Sequence, residues 1–345
     1  MAKTKKIMIG YLCFIILSSA ISISAYASDS VIKLKYGSYA PSGIIDAPIL
    51  WYFDEVSKRS GSTIKIETYF GSTLAKPQDC LGAIGYRVYD VGWVTPVFTA
   101  DKIPLATMAT STPIVAQSLK ACIFGADNLV RSFQPAAEEY VKADVKFLFH
   151  TGVWQYQLIS NKPVKSLDDI KGLRVRTFGY LSKAWAGLGG NPVSIPIPDI
   201  YPSLQKGILD AVLTQPVSMH HSLRLTEIAK NYTKVNFGCL PTPVLMNLAT
   251  YNALPENVRK VMEDLALEMP DQVDRIITQA EQEALKAMRE NGIGMFELSE
   301  ADQSRIKEQS KNITKIVVDD LTAKNVIHAQ KAMDIYLDSI NKIAP

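Results

Sequence analysis

The chain has 345 residues, with 37 Lys plus Arg against 34 Asp plus Glu and a formal charge of +3. That length suggests about two domains, each with a sizeable core. Hydrophobic residues make up 47% and charged residues 21%, a composition that excludes a mainly disordered or fibrous chain. No basic run follows the first six residues, which argues against a protein that binds nucleic acid.

The first 28 residues have the layout of a secretory signal. It begins with the basic residues Lys3, Lys5 and Lys6 and continues with an apolar stretch at 7–17. It ends with the small-x-small sequence Ala25-Tyr26-Ala27. Signal peptidase recognises this order, and we predict cleavage after Ala27. The alternative is an uncleaved membrane anchor, because the uncharged stretch 7–28 is long enough to span a bilayer. Cleavage would remove the whole positive excess, leaving a mature protein of zero formal charge.

Three cysteines remain after cleavage, Cys80, Cys122 and Cys239. Their number is odd, so at most one disulfide can form within the chain. Cys80 and Cys122 both lie in the first half of the chain and could pair. Three buried free thiols are the alternative. No spacing among them resembles a zinc site.

From Val31 onward, strand-like and helix-like segments alternate, which is typical of an α/β fold. A first strand at 32–36 is followed by a helix at Asp46–Ser60 and a strand at Ile64–Tyr69. Further strands are predicted at 144–150, Gln157–Ser160, Arg174–Arg176, 193–195, 210–213 and 244–249. Further helices are predicted at 116–132, 181–188, 201–206 and 222–228.

A short pattern occurs twice. Ile84-x-x-Arg87-Val88-Tyr89-Asp90 and Leu204-x-x-Gly207-Ile208-Leu209-Asp210 both combine a helix end, a turn and a strand start. Chance similarity between two ordinary helix-to-strand turns is one explanation, since α/β proteins reuse such units. Two similar lobes are the other.

After Pro255 the apolar residues recur at spacings of three and four up to Gly292. The pattern predicts one amphipathic helix of about 50 Å. Pro270 lies in its interior and is expected to kink it. A helix of this length exceeds one lobe, so we expect it to lie across both.

Motifs of known enzymes are missing from the sequence. It contains no Gly-x-Ser-x-Gly, no His-Glu-x-x-His and no Walker loop. His220 and His221 are adjacent, and neighbours on a helix do not share a face, which disfavours a shared metal ion. We therefore expect neither enzymatic activity nor a cofactor or metal.

Three motifs follow one another in the second half of the chain. They are Ser166-Leu-Asp-Asp-Ile-Lys-Gly-Leu-Arg-Val-Arg-Thr177, Leu188-Gly-Gly-Asn-Pro-Val-Ser-Ile-Pro196 and Asp199-Ile-Tyr-Pro-Ser-Leu-Gln-Lys-Gly-Ile-Leu-Asp210. In their order and spacing the chain resembles the solute-binding receptors of the tripartite ATP-independent periplasmic (TRAP) transporters. The likeness extends from Val56-Ser-Lys-Arg-Ser-Gly61 to Leu254-Pro255 at the head of the long helix, and so covers most of the mature chain.

The resemblance implies an α/β, two-lobed periplasmic binding protein fold with crossing hinge strands and a long connecting helix. Lobe I would comprise 28–151, completed by about 243–290, and lobe II 152–242, completed by about 291–345. Such a receptor is a periplasmic protein, here expected to be a monomer, that closes on a small organic acid and delivers it to a small and a large membrane subunit. The alternatives are a receptor of an ATP-driven importer, a ligand presenter to a membrane sensor and an exported hydrolase.

In the family pattern, the arginine of the Lys-Gly-Leu-x-Val-Arg strand contacts the ligand carboxylate, which places Arg176 there. A guanidinium can donate two hydrogen bonds to a carboxylate in a geometry that lysine cannot copy. Arg174 is a competitor, and pairing of Arg176 with an internal Asp is the structural alternative. The family also tends to place a polar residue before the Pro that follows the next strand, which indicates Gln215 or, with a one-residue shift, Thr214.

One departure from the family is informative. Many relatives have Gly-Phe-Arg, with a second ligand arginine, where this chain has Thr151-Gly-Val-Trp-Gln-Tyr156. This chain offers Trp154 and Tyr156 instead, with Trp93 and Tyr39 in the first lobe, although each aromatic residue could equally belong to the core. Together they predict a monocarboxylate ligand with an apolar or aromatic body.

Overall fold

A computed structural model describes residues 31–113, 116 and 118–343. The predicted signal peptide and its cleavage after Ala27 lie outside the described residues. The strands are β1 (Ile32–Gly37), β2 (Ile64–Tyr69), β3 (Val91–Trp93), β4 (Val145–Thr151), β5 (Gln157–Ser160), β6 (Arg174–Arg176), β7 (Asn191–Val193), β8 (Ala211–Thr214), β9 (Asn231–Lys234), β10 (Thr242–Asn247) and β11 (Gly294–Glu297). The helices are α1 (Asp46–Ser60), α2 (Cys80–Gly85), α3 (Pro104–Ser111), α4 (Leu119–Ser132), α5 (Gln134–Lys142), α6 (Gly179–Gly187), α7 (Ile200–Gln205), α8 (Leu248–Asn252), α9 (Glu256–Glu290), α10 (Glu300–Ala323) and α11 (Ala329–Lys342).

The strands form two separate sheets. The first has the order β2-β1-β3-β10-β4, and the second has the order β11-β9-β5-β8-β6-β7. Helices cover both sheets, so the α/β class and the two-lobed architecture predicted from the sequence are confirmed. The chain passes between the sheets at 152–156 and 235–241. These crossing segments are hydrogen-bonded to each other, from Tyr156 N to Gly238 O (3.0 Å) and from Phe237 N to Tyr156 O (2.9 Å).

The long helix connects the two lobes. Helix α9 is continuous over 35 residues, with Pro270 in its interior, and it packs against α1, α4 and β4 of the first sheet's lobe. Its last turns reach the other lobe, where Met288 is buried in one cluster with Ile159 and Met219. The predicted position of this helix across both lobes is therefore correct.

The two C-terminal helices pack differently. Helix α10 contacts α6, which lies in the part of the chain that carries the second sheet, whereas α11 contacts α3 and α4 from the first part. The division of the chain at 151, 242 and 290 stays a prediction. Among the described residues, no helix is both long and apolar enough to cross a membrane.

Some predicted elements differ from the structure. The segment 222–228 is not a regular helix, because a π-helical turn at Ser218–Ser222 precedes a 3₁₀ turn at Leu225–Glu227. The strand expected at 193–195 lies at Asn191–Val193. Strand β3 follows the strand start that the repeated pattern gave at Asp90, whereas strands β9 and β11 were not predicted.

The repeated sequence pattern corresponds to a repeated structure. Asp90 Oδ2 accepts a hydrogen bond from Lys35 N (2.9 Å), and Asp210 Oδ2 accepts one from Arg174 N (2.8 Å). In return, Asp90 N donates to Lys35 O and Asp210 N to Arg174 O, both at 2.9 Å. In each lobe the aspartate therefore ties the start of one strand to its parallel neighbour, and the two turns are structural equivalents.

Candidate ligand-binding cleft

Arg176 is the last residue of β6 and is only 9% exposed. Its Nε is buried without a hydrogen-bond partner, and no carboxylate forms an ion pair with its guanidinium among the residues that the structure describes. Burial lowers the pKa of Arg176, and the nearby phenols of Tyr156 and Tyr39 partly oppose that shift. The strand therefore presents a buried cation with an unsatisfied donor.

Arg174 lies at the opposite end of the same short strand, and its guanidinium is already paired with an acid of the same chain. Its Nε donates to Asp210 Oδ2 (2.9 Å), and a terminal nitrogen donates to Asp210 Oδ1 (2.8 Å). The same nitrogen also donates to the carbonyl oxygen of Gly207 (2.6 Å). Arg174 thus stabilises the turn before β8, whereas Arg176 has no such internal acid.

Aromatic side chains surround the guanidinium of Arg176. The Phe178 ring centroid lies 5.0 Å from the Arg176 Cζ, in the geometry of a cation–π contact. Tyr156 packs edge-on against Phe178, with ring centroids 5.7 Å apart. Two of the residues predicted for the site, Arg176 and Tyr156, are therefore brought together around a ring that the sequence did not single out.

The first lobe contributes Tyr39 and Trp93, whose ring centroids are 4.7 Å apart. The Tyr39 hydroxyl is hydrogen-bonded to Thr95 Oγ1, and burial raises the pKa of Tyr39 to about 12. The Trp93 indole N–H donates to the buried Asp46 Oδ1 (3.2 Å). Both predicted residues of the first lobe are thus held in place by polar contacts of their own, and Tyr39 lies near Arg176.

Thr214 and Gln215 are buried at the end of β8. Gln215 Oε1 accepts hydrogen bonds from Thr214 Oγ1 (3.2 Å) and Ser218 Oγ (3.1 Å). Its side chain also lies near the Tyr156 hydroxyl, whose pKa it lowers against the larger effect of burial. Both residues therefore join the group around Arg176 through Tyr156.

Trp154 is placed elsewhere. It is half-buried and lines a groove of about 450 Å³ together with Lys234, Asn236 and Lys307. No contact of the described residues links its ring to Arg176 or Phe178. The structure therefore does not bring Trp154 to the group that contains the other predicted site residues.

A cavity of about 320 Å³ borders this group through Thr95 and Phe178. Both lobes and a crossing segment line it, with Thr95, Val97, Ala100, Thr110, Ser111, Phe178, Gly179, Tyr180, Leu181, Lys183, Leu240, Asp320 and Lys324 at its wall. Its volume is that of a site for a small organic molecule. The lobes approach each other closely here. A Cβ built on Gly179 would lie only 3.5 Å from the Val97 side chain.

Several residues of the cavity wall were not predicted from the sequence. The Ser111 hydroxyl is buried without a partner among the described residues, and Phe178 contacts Arg176 directly. Phe178 could have been found, because side chains two apart along an extended strand share a face. Ser111 ends a helix of the other lobe, and nothing in the local sequence connects it with Arg176.

The rim of the cavity is polar, with Lys183, Lys324 and Asp320. Lys183 Nζ pairs with Asp320 Oδ2 at 2.6 Å, and the Tyr180 hydroxyl donates to the same oxygen (3.1 Å). Within the described part of the chain, no three His, Cys, Asp or Glu side chains converge so that they could hold a metal ion. The arrangement is suited to binding an anion at the Arg176 guanidinium, next to Phe178 of the cavity wall.

The family model of bacterial extracellular solute-binding protein, family 7 (DctP), matches residues 50–320. The chain belongs to this family. It is a solute-binding receptor of the TRAP type for a small organic acid, and proteins of this family are periplasmic. The family recognised from the three sequence motifs is confirmed.

Relatives and solved structures extend over most of this family 7 receptor. The C4-dicarboxylate-binding periplasmic protein DctP of Rhodobacter capsulatus is 25% identical over 297 residues, which cover 81% of this chain and 84% of that protein. A TRAP periplasmic solute-binding protein of Desulfovibrio salexigens, solved as an open complex, is 26% identical and superposes with a TM-score of 0.78 over 90% of this chain and 96% of that chain. A TRAP solute-binding protein of Rhodoferax ferrireducens, solved with copurified benzoate, is 20% identical, with a TM-score of 0.79 over 90% of this chain and 98% of that chain.

Proposed function

We propose that this receptor captures a monocarboxylate with an apolar or aromatic body and that Arg176 binds the carboxylate. The observation that carries the proposal is the buried Arg176 guanidinium without an acidic partner. A buried charge costs several kcal/mol unless it is paired. A bound carboxylate would accept two parallel hydrogen bonds from the guanidinium and would neutralise its charge.

The surroundings of Arg176 favour an apolar body for the ligand. Aromatic rings border the guanidinium, and the wall of the adjoining cavity includes Val97, Ala100, Leu181 and Leu240. These surfaces cannot replace the water that hydrates a sugar or a second carboxylate. They would exclude water from a flat ring or an alkyl chain at little cost.

A single carboxylate is favoured by the distribution of positive charge. Lys183 at the rim already has Asp320 as its partner. At the position where many relatives carry a second ligand arginine, this chain has Trp154, which lines a different groove. A dicarboxylate would therefore lack a second buried cation.

Two of the similar proteins differ in the acid that they bind. Benzoate, found in the Rhodoferax ferrireducens receptor, is one carboxylate on an apolar ring, and it matches the chemistry proposed here. The Rhodobacter capsulatus relative is named for C4-dicarboxylates. The lone buried arginine favours the first of these ligand classes for this chain.

The ligand would also drive closure of the two lobes. Tyr39 and Trp93 would contact it from lobe I, and Arg176, Tyr156 and Gln215 from lobe II. A ligand that bridges both lobes stabilises the closed state by the contacts that exist only in that state. The mature monomer, cleaved after Ala27, would then deliver the acid to the small and large membrane subunits of its transporter.

Isothermal titration of the mature protein with a panel of acids tests the ligand class. We expect saturable binding of benzoate, phenylacetate or a medium-chain alkanoate, and no heat of binding with succinate or galacturonate at the same concentrations. Tight binding of succinate or galacturonate, without binding of any aryl or alkyl monocarboxylate, would overturn the proposal. Ligand-free protein, prepared by unfolding and refolding, avoids a result that reflects only a copurified acid.

A further inference from the structure

The three mature cysteines fall into two groups. Cys80 is buried in a cluster with Ile84 and Tyr89, and its thiol donates to the carbonyl oxygen of Lys76 (3.3 Å). Cys122 on α4 and Cys239 in the crossing segment 235–241 are fully buried in another cluster. The pairing of Cys80 with Cys122 that the sequence left open is thus not the one that the fold brings together.

Burial and, after it, the neighbouring Cys122 thiol raise the pKa of the Cys239 thiol, so the two side chains are neighbours in this cluster. The backbone around them is consistent with that contact. A Cβ built on Gly152 would lie 3.3 Å from both Ile123 Cδ1 and the carbonyl oxygen of Leu240, so the residues that follow the two cysteines are near neighbours. The crossing segment 235–241 therefore packs close to α4 near both cysteines.

We propose that Cys122 and Cys239 are joined by a disulfide in the exported protein, and that Cys80 stays a free thiol. Family 7 receptors are periplasmic, and disulfides form and persist in that compartment. The oxidant would be the reactive disulfide of a thiol oxidoreductase. Cys122, as a thiolate, would attack one sulfur of that disulfide and release the other as a thiolate.

The second step closes the bond. Cys239, as a thiolate, attacks Cys122 Sγ, and the oxidoreductase leaves as its second thiolate. Overall, two thiols of this chain lose two protons and two electrons, and the oxidant disulfide gains them and becomes two thiols. Both cysteines are fully buried in the folded protein, so the exchange would take place before folding is complete.

The bond would fix the crossing segment to the first lobe. Cys239 precedes Leu240, which lines the cavity, and its thiol lies 3.6 Å from the carbonyl oxygen of Val153 in the other crossing segment. Within this crossing segment, bending between the lobes would then be confined to the residues between β9 and Cys239. This inference does not depend on the class of acid that the receptor binds.

Thiol counting by mass spectrometry tests the proposal on the wild-type protein. The protein is exported to the periplasm of an expression host, unfolded in guanidinium containing N-ethylmaleimide without reductant, and weighed intact. We expect one alkyl group per chain and a mass two hydrogens below that of the reduced chain carrying one such group. After digestion, one linked peptide pair should contain Cys122 and Cys239. Three alkyl groups, or a linked pair that contains Cys80, would overturn it.

Two cysteine variants test which thiol is free and which two are bonded. Cys80→Ser should take up no N-ethylmaleimide without reductant and two equivalents after reduction. Cys122→Ser should take up two equivalents in both cases, because Cys239 has lost its partner. Two equivalents on unreduced Cys80→Ser would contradict the bond even if Cys122→Ser failed to fold.

Discussion

Arg174 and Arg176 lie two residues apart on β6, and only Arg174 has an acidic partner, Asp210, among the residues described. The strand has only three residues, so the two side chains lie at its opposite ends. Arg174, at the start of β6, stabilises the turn before β8, and Arg176, at its end, reaches the group of aromatic rings. The same residue type thus has a structural role at one end and is free for a ligand at the other.

Replacing Arg176 with Ala should weaken binding of the acid and leave the lobes folded. A desolvated, charge-assisted pair is worth about 2–4 kcal/mol by truncation, which is roughly a 30- to 1,000-fold rise in Kd. Arg174→Gln is the matched control, because its side chain is 43% exposed and pairs with Asp210. Titration of both variants should show a loss in Arg176→Ala alone. Equal losses in both would indicate that β6 as a whole, and not one guanidinium, supports binding.

Phe178→Ala should change selectivity. The ring contacts both Arg176 and Tyr156, and a contact of this kind is worth about 1 kcal/mol. We expect roughly fivefold weaker binding of benzoate and a smaller change for a short alkyl acid. Phe296→Ala removes a ring that lies over Lys165 instead and should leave both affinities unchanged. A uniform loss for both ligands in Phe178→Ala would show that the ring does not contact the ligand body.

Glu281 should make stability depend on pH. It is buried on α9, its Oε2 accepts a hydrogen bond from Val217 N (3.1 Å), and burial raises the pKa of Glu281 to about 8. Between about pH 4.5 and pH 8 the folded protein therefore holds one proton more than the unfolded chain, so this group lowers the free energy of unfolding as the pH rises through that window.

Glu281→Gln mimics the protonated carboxyl and removes that dependence. Measured by thermal unfolding, the melting temperature of Glu281→Gln relative to the wild type should rise from pH 5 to pH 8 and level off above pH 8. Glu283→Gln, on the exposed side of the same helix, should follow the wild type throughout. A constant difference between Glu281→Gln and the wild type from pH 5 to pH 9 would contradict the raised pKa.

Gly238 should tolerate a side chain less well than Gly207. Both have positive φ, +82° and +68°, but a Cβ on Gly238 would lie 2.8 Å from the carbonyl carbon of Pro113, whereas a Cβ on Gly207 would meet nothing within 4 Å. We expect Gly207→Ala to cost about 1–2 kcal/mol and Gly238→Ala about 2–4 kcal/mol. Urea unfolding of the two variants measures the difference. Equal losses would mean that the crossing segment shifts freely.

Periodicity was sufficient for the regular parts of the fold. The apolar spacing after Pro255 predicted α9 nearly to the residue, because a long amphipathic helix repeats its signal many times. Strands β9 and β11, of four residues each, are too short to show an alternation, and no motif marks them as motifs mark β6 and β8. Residues 218–228 form a π-helical turn and a 3₁₀ turn. Turns this short do not repeat an apolar spacing, so the sequence could not distinguish them from a short α-helix.

The site was predictable where a motif carried it. The spacing of the motif indicated Arg176 as the ligand residue. Only the fold shows that Arg174 is paired with Asp210, which lies 36 residues away in the chain. Trp154 was expected in the site because many relatives carry a second ligand arginine at this place in the sequence. The segment 152–156 is an irregular crossing, and there Trp154 lines a different groove. Thr95 and Ser111 come from the other lobe, and the local sequence carries no signal for such a distant contact.

The most direct test of the account is a crystal structure of the mature protein with benzoate or a copurified acid. We predict one ligand carboxylate with both oxygens about 2.7–3.1 Å from the guanidinium nitrogens of Arg176, and the ligand body against Phe178 and Tyr39. A carboxylate held by Lys183 or Lys324 at the rim, with Arg176 still without an anionic partner, would contradict the central claim.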